Sequence, residues 1–158
     1  MDYLYREGSP ISAELWEKID EAVVSAAKKV LTGRKFISIY GPLGGGIQSI
    51  NVDNISELEE TEGSIAVIKG RTYRHIPLIN QDFSLLWRDL EFSKQMGMPV
   101  DLSAASYAAS QCALKEDELI FFGNDQLGFK GLLTEEGIVK LPLSNWSEGE
   151  NPFKDISA

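Results

Sequence analysis

The sequence predicts an α+β chain in which two long helices flank a stretch of β-structure. Three observations carry that prediction. Apolar residues recur at spacings of three and four through residues 13–32. A second helical pattern, rich in small residues, fills 102–122. Between them, 47–75 holds two β-like runs around an acidic turn. The 158 residues suit one domain, and 43% hydrophobic with 25% charged residues is ordinary for a globular chain.

The first helix is expected over 13–32. Ser12 is a good N-cap, and Glu14 places a negative charge in the first turn. Trp16, Ile19, Val23, Ala27 and Val30 form one apolar stripe, which Leu15, Ala22 and Ala26 widen. Lys28 and Lys29 complement the C-terminal end, and Gly33 reads as a left-handed stop. Such a stripe must dock on another element. Residues 36–40 then read as a strand, and 41–46 as a glycine-rich turn. A phosphate-binding loop would need a lysine after its last glycine, but Ile47-Gln48-Ser49 follows Gly46. The dinucleotide fingerprint would need a helix there, and 47–52 reads as a strand. The glycines are therefore read as a pivot.

Two strands, 48–55 and 64–73, are predicted around the acidic turn 57–63. Together they make a long ribbon. Isolated hairpins are marginal in water, so this ribbon is expected to pack on a neighbouring molecule. Residues 76–86 read as a further strand and 85–92 as a short helix closed near Gly97 and Pro99. Asp101 is the expected N-cap of the 102–122 helix. Ala104, Ala105, Ala108, Ala109 and Ala113 would let another backbone approach closely. Leu119, Ile120, Phe121 and Phe122 predict an end buried on most sides. A turn at 134–137 and a strand at 138–143 follow. The tail is polar, with Trp146 and Phe153 as lone anchors, and 153–158 reads as a helix cut short.

The chemical inventory is small. A net charge of −9 argues against nucleic acid as a partner. The one dense basic group, Lys28, Lys29, Arg34 and Lys35, reads as helix-terminal charge. No apolar run has the length of a membrane span, and residues 1–10 hold no apolar signal core. The single Cys112 excludes an intrachain disulfide and fits a reducing compartment; it reads as a small buried residue. A soluble, cytoplasmic protein is expected. His75 is the one histidine and lacks partners, so neither a catalytic nor a metal site is expected. Glu116, Asp117 and Glu118 point about 100° apart on a helix and read as a solvated or interface face, not an ion site. Trp87, beside Arg88, reads either as a packed aromatic or as a stacking surface for a planar ligand.

Six blocks carry a family resemblance. They are Gly33-Arg34-Lys35-Phe36, Tyr40-Gly41-Pro42-Leu43-Gly44, Ile76-Pro77-Leu78, Leu86-Trp87-Arg88-Asp89-Leu90-Glu91, Pro99-Val100-Asp101-Leu102-Ser103 and Glu116-Asp117-Glu118-Leu119-Ile120-Phe121-Phe122-Gly123. Gly128-Phe129-Lys130-Gly131-Leu132-Leu133 fits as well. In this order and register they resemble family 1 encapsulin shell proteins, the linocin-type bacteriocin family.

The resemblance implies part of a tailed-phage major capsid (Johnson) fold. Residues 1–46 would be an N-terminal arm helix and first strand, and 47–75 the extended loop that reaches over a neighbour. Residues 76–143 would be the peripheral domain, with 102–122 as its spine helix. Residues 144–158 would begin a truncated axial domain. It further implies a non-enzymatic, icosahedral homo-oligomeric shell in the cytoplasm. The shell would enclose a ferritin-like iron-storage protein or a dye-decolorising peroxidase. A terminal targeting peptide of that cargo enzyme would dock in a groove, placed at Val23, Ala27, Val30, Arg34 and Ile37. Some members bind a flavin at an outer tryptophan, and Trp87 matches its local motif. The preceding segment 77–83 is shorter than in the flavin binders, and their arginine is not evident, so no cofactor is expected. Two alternatives are a flavin-binding module at Trp87 and a secreted bacteriocin or protease-like protein. No signal segment or nucleophile–base set supports the latter.

Overall fold

A computed structural model describes residues 6–52, 58–61, 65–68 and 72–157. Helix α1 is Ala13–Val30, started as predicted by Ser12, whose hydroxyl accepts the Leu15 N–H at 3.3 Å. It stops two residues before the predicted end. Gly33 is not its left-handed stop. It opens a single 3₁₀ turn, Gly33–Lys35, because Asp117 takes the N–H groups of Thr32 and Gly33 and draws the chain sideways. Residues 36–40 form no strand. They are a turn and an extended run with no ladder partner among the described residues, and Tyr40 is 86% exposed.

The ribbon is present. Strand β1 (Ser49–Asn51) pairs antiparallel with β4 (Tyr73–His75), Ile50 opposite Arg74. Bonds from Val52 N–H to Thr72 O and from Ile76 N–H to Gln48 O extend the pairing at both ends. Further out, β2 (Leu58–Thr61) pairs antiparallel with β3 (Ile65–Ile68), Leu58 opposite Ile68. Leu58–Thr61 is thus a strand, not the acidic turn that its charge suggested. Backbone pairing overrides that local signal, since strand propensity depends on context. The rest of the predicted turn, with Glu57 and Glu62, lies outside the described residues. Six residues (52–57) separate β1 from β2, and four (69–72) separate β3 from β4.

Residues 76–86 form no strand and, among the described residues, find no ladder partner beyond Ile76, correcting the predicted strand. Pro77 lacks the N–H that a ladder would need there. Helix α2 (Trp87–Met96) starts later than expected and is closed by Gly97 in the left-handed region, φ 64°. Helix α3 (Ser103–Phe122) follows, with Asp101 accepting the Ser103 N–H at 2.9 Å.

The buried core lies between α1 and α3. Ile19 packs in a region where Ala105, Ala108, Ala109 and Ala113 are also buried. The small residues of α3 allow the close helix approach that the sequence predicted, and α1 supplies the backbone that approaches. The far end of α3 is less covered than expected. Leu119, Ile120 and Phe121 are half-buried and Phe122 is 60% exposed. Only one side is packed, in part by the Phe36 ring, 5.9 Å from the Phe121 ring.

A small hairpin closes α3: β5 (Gly123–Asn124) against β6 (Phe129–Lys130), over a 3₁₀ turn at Asp125–Leu127. Gly123 has φ 73°, and a Cβ there would strike the Phe129 carbonyl and the Gly131 N. A Cβ on Gly131 would in turn strike the Gly123 N, so the two backbones touch. Leu132 and Leu133 then donate to the Ile120 and Phe121 carbonyls at 2.9 and 2.8 Å. Residues 138–143 form no strand and find no ladder partner among the described residues. The C-terminal helix α4 spans Asn151–Ser157. Trp146 and Phe153 are not buried anchors, being 51% and 76% exposed. Trp146 is held by its edge instead, Nε1 donating to Asp155 at 2.8 Å.

Candidate functional site: a cleft between α1 and α3

A cleft of about 340 Å³ lies where the apolar stripe of α1 meets the alanine face of α3. Val23 and Ala27 form one wall, and Ala109, Ala113 and a half-buried Cys112 the other. Ile79, Gln81 and Phe83 line the cleft from the unpaired segment after the ribbon. Their spacing of two is that of an extended chain, which turns alternate side chains to one side. Arg34 and Glu116 stand at one end.

That end is built by two neighbouring carboxylates of α3. Arg34 meets Glu116 fork to fork, Nε to Oε1 at 2.5 Å and Nη2 to Oε2 at 2.7 Å. The pairing raises the Arg34 pKa above its ordinary value, chiefly through the hydrogen bond to Glu116. Asp117 accepts the N–H groups of Thr32 at 2.7 Å and Gly33 at 2.9 Å. Burial pushes the Asp117 carboxyl up. The Gly33 and Thr32 bonds, with Lys35 nearby, more than offset that and hold it below the usual carboxylate value. So Glu116 and Asp117 are not a solvated face. Only Glu118 pairs locally, with Lys115 at 2.8 Å.

Of the residues assigned to the groove from sequence, Val23, Ala27 and Arg34 line this cleft. Val30 and Ile37 are half-buried outside its lining, and Leu31 takes their place. Sequence reasoning missed Ile79, Phe83, Glu116 and Asp117. The alternation at 79, 81 and 83 was the available signal for the first two; nothing local marks the carboxylates. Cys112, expected to be buried, is partly open in the cleft wall. Trp87 is elsewhere. It begins α2, is 78% exposed, and borders a separate cleft of about 1010 Å³ between residues 10–18 and 87–102. His75 is exposed on β4 opposite Ser49. Among the described residues, no group of three or more His, Cys, Asp or Glu side chains could hold a metal ion. No described helix is long and apolar enough to cross a membrane. The cleft is an apolar slot with a satisfied ion pair at its end.

Comparison with known proteins agrees with this architecture. Residues 1–158 match a family described as "Encapsulating protein for peroxidase". The chain is 37% identical, over 98% of its length, to the type 1 encapsulin shell protein EncA of Myxococcus xanthus (strain DK1622). It is 43% identical, over 92% of its length, to a diheme-cytochrome-encapsulin shell fusion protein of Kuenenia stuttgartiensis. The chain spans 57% and 42% of those two proteins. A crystal structure of a virus-like particle from Pyrococcus furiosus superposes with a TM-score of 0.59 at 24% identity, covering 92% of this chain and 52% of that one. The fold is therefore part of the capsid-like fold that the sequence resemblance implied. The chain belongs to the encapsulating shell-protein family, the encapsulins.

Proposed function

We propose that this protein is a shell subunit whose copies assemble into an icosahedral particle around a cargo protein. The carrying observation is the ribbon β1–β4, joined to a body whose family is that of encapsulating proteins. A two-stranded ribbon is marginal alone and gains stability by lying on a neighbour. Its exposed apolar residues, Ile50 and Tyr73 among them, suit such contact. In this reading residues 1–46 form the arm, 47–75 the extended loop, 76–143 the peripheral domain and 144–158 the start of an axial domain. The role is structural, in the cytoplasm, with no catalytic residues.

The cleft is the proposed seat of the cargo's terminal targeting peptide, with Val23, Ala27 and Arg34 on its floor and rim. The names of the relatives support the cargo class. Their names include fusions to a diheme cytochrome and to a ferritin-like protein, and the family description names a peroxidase. A ferritin-like iron-storage protein or a dye-decolorising peroxidase fits that set.

Electron microscopy of the complete gene product tests the shell: closed particles support it, and monomers or small oligomers alone overturn it. The cleft is tested by fluorescence anisotropy with labelled cargo tail peptides. Cys112→Phe should fill the slot and abolish peptide binding while particles still form; undiminished binding would move the peptide site elsewhere.

A further inference from the structure

We infer that Arg74 is a positioning residue that latches the root of the ribbon to the body of the fold. Arg74 is the central residue of β4 and lies opposite Ile50. Its Nη1 donates to the Gly128 carbonyl at 2.7 Å, across 54 positions of sequence. Alternation along β4 sends Tyr73 and His75 to the other face, so only Arg74 of this strand faces the hairpin. Gly128 closes the 3₁₀ turn of the β5–β6 hairpin with φ 69°, directly before β6.

The partner is fixed. The hairpin cannot pivot on α3, because Gly123 and Gly131 touch and Leu132 and Leu133 are bonded back to the last turn of the helix. The ribbon, in contrast, joins the body through the glycine-rich run before it and the unpaired segment after it. A bond at the root of such a lever sets the direction of its tip. Arg74 thus sets the angle at which the ribbon leaves the body. On the shell reading proposed above, on which this consequence rests, that angle sets how one copy meets the next and so the curvature of the particle. The bond is single and exposed, so the latch can open.

The test separates the latch from the shell. In a Cys112→Ser background, spin labels at Val52→Cys and Glu118→Cys report the ribbon-to-body distance, read by pulsed electron resonance on the full chain. Arg74→Met should widen that distance distribution about twofold. Arg74→Lys, whose ammonium can still donate to the Gly128 carbonyl, should stay near the parent width. Arg74 is exposed and outside the core, so both variants should keep the parent circular dichroism. An unchanged width in Arg74→Met, or equal widening in Arg74→Lys, overturns the latch. If the complete gene product forms no closed particles, the shell reading fails while the spin-label result still decides the latch. If particles form, Arg74→Met should spread their diameters and Arg74→Lys should restore one size; identical particles in all three would overturn the link to curvature.

Discussion

Gly33 and Asp117 stand 84 positions apart and meet through a 2.9 Å hydrogen bond from the glycine N–H to the aspartate carboxylate. Thr32 adds a second bond at 2.7 Å. Together they turn the chain at the end of α1 onto α3. Asp117→Ala leaves two backbone donors without that acceptor. We expect it to lower stability by about 1–2 kcal/mol, with Asp117→Asn losing less because its amide oxygen still accepts. Urea unfolding followed by circular dichroism measures this, and an unmoved midpoint in Asp117→Ala would remove the clasp from the account of stability.

The same carboxylate makes stability depend on acid. Its folded-state pKa lies below the unfolded value, so the folded form binds protons less readily. Its contribution is therefore full above the ordinary aspartate pKa of about 3.9 and is lost as pH falls through the lower folded value. Asp20 and Asp155 are lowered too, by Arg6 and by the Ser144 N–H respectively. The difference between parent and Asp117→Asn isolates the one group. That difference should shrink as pH drops from 5 to about 2; a constant difference would contradict the assignment.

Gly33 is required for space rather than for backbone freedom. An added Cβ would lie 2.9 Å from Ile120 Cδ1 and 3.2 Å from an Asp117 oxygen. Gly33→Ala should cost about 1–3 kcal/mol through overpacking. Ile120→Val removes the nearer atom, so the double variant should be less destabilised than the two single costs combined. Strict additivity in a double-mutant cycle would show that the two sites do not touch.

Asp155 gathers the C-terminal segment. It accepts from Ser144 N at 2.8 Å, Ser144 Oγ at 2.9 Å and Trp146 Nε1 at 2.8 Å. Asp155→Ala should free the indole. Steady-state emission from Trp146, isolated by Trp16→Phe and Trp87→Phe, should shift to the red and be quenched more readily by acrylamide. Identical emission in both backgrounds would mean that the indole is held by something else.

Both long helices were legible in the sequence because their signals are local. The α1 stripe, its Ser12 cap and the alanines of α3 lie within a few turns of one another. The ribbon was legible as two β-like runs. Strands predicted at 36–40, 76–86 and 138–143 were not found. Their β-forming residues are real, but a strand exists only where a partner supplies the ladder. The cleft was half legible. Val23 and Ala27 announce themselves by helical spacing, whereas Ile79 and Phe83 reach it only through the path of the chain. Glu116 and Asp117 were misread because a charged run looks solvated until its distant partners are known.

The root of the ribbon is a three-residue ladder, Ser49–Asn51 against Tyr73–His75. Side chains along a strand alternate with a period of two, so a one-residue slip in this ladder would exchange the face that Ile50 and Arg74 share. A single-residue insertion within β1 or β4 would turn every side chain beyond it in that strand to the opposite face. Length variation within these paired strands should therefore accumulate in pairs, a frame in which the ribbon's root can be lengthened without exchanging the face that meets Gly128.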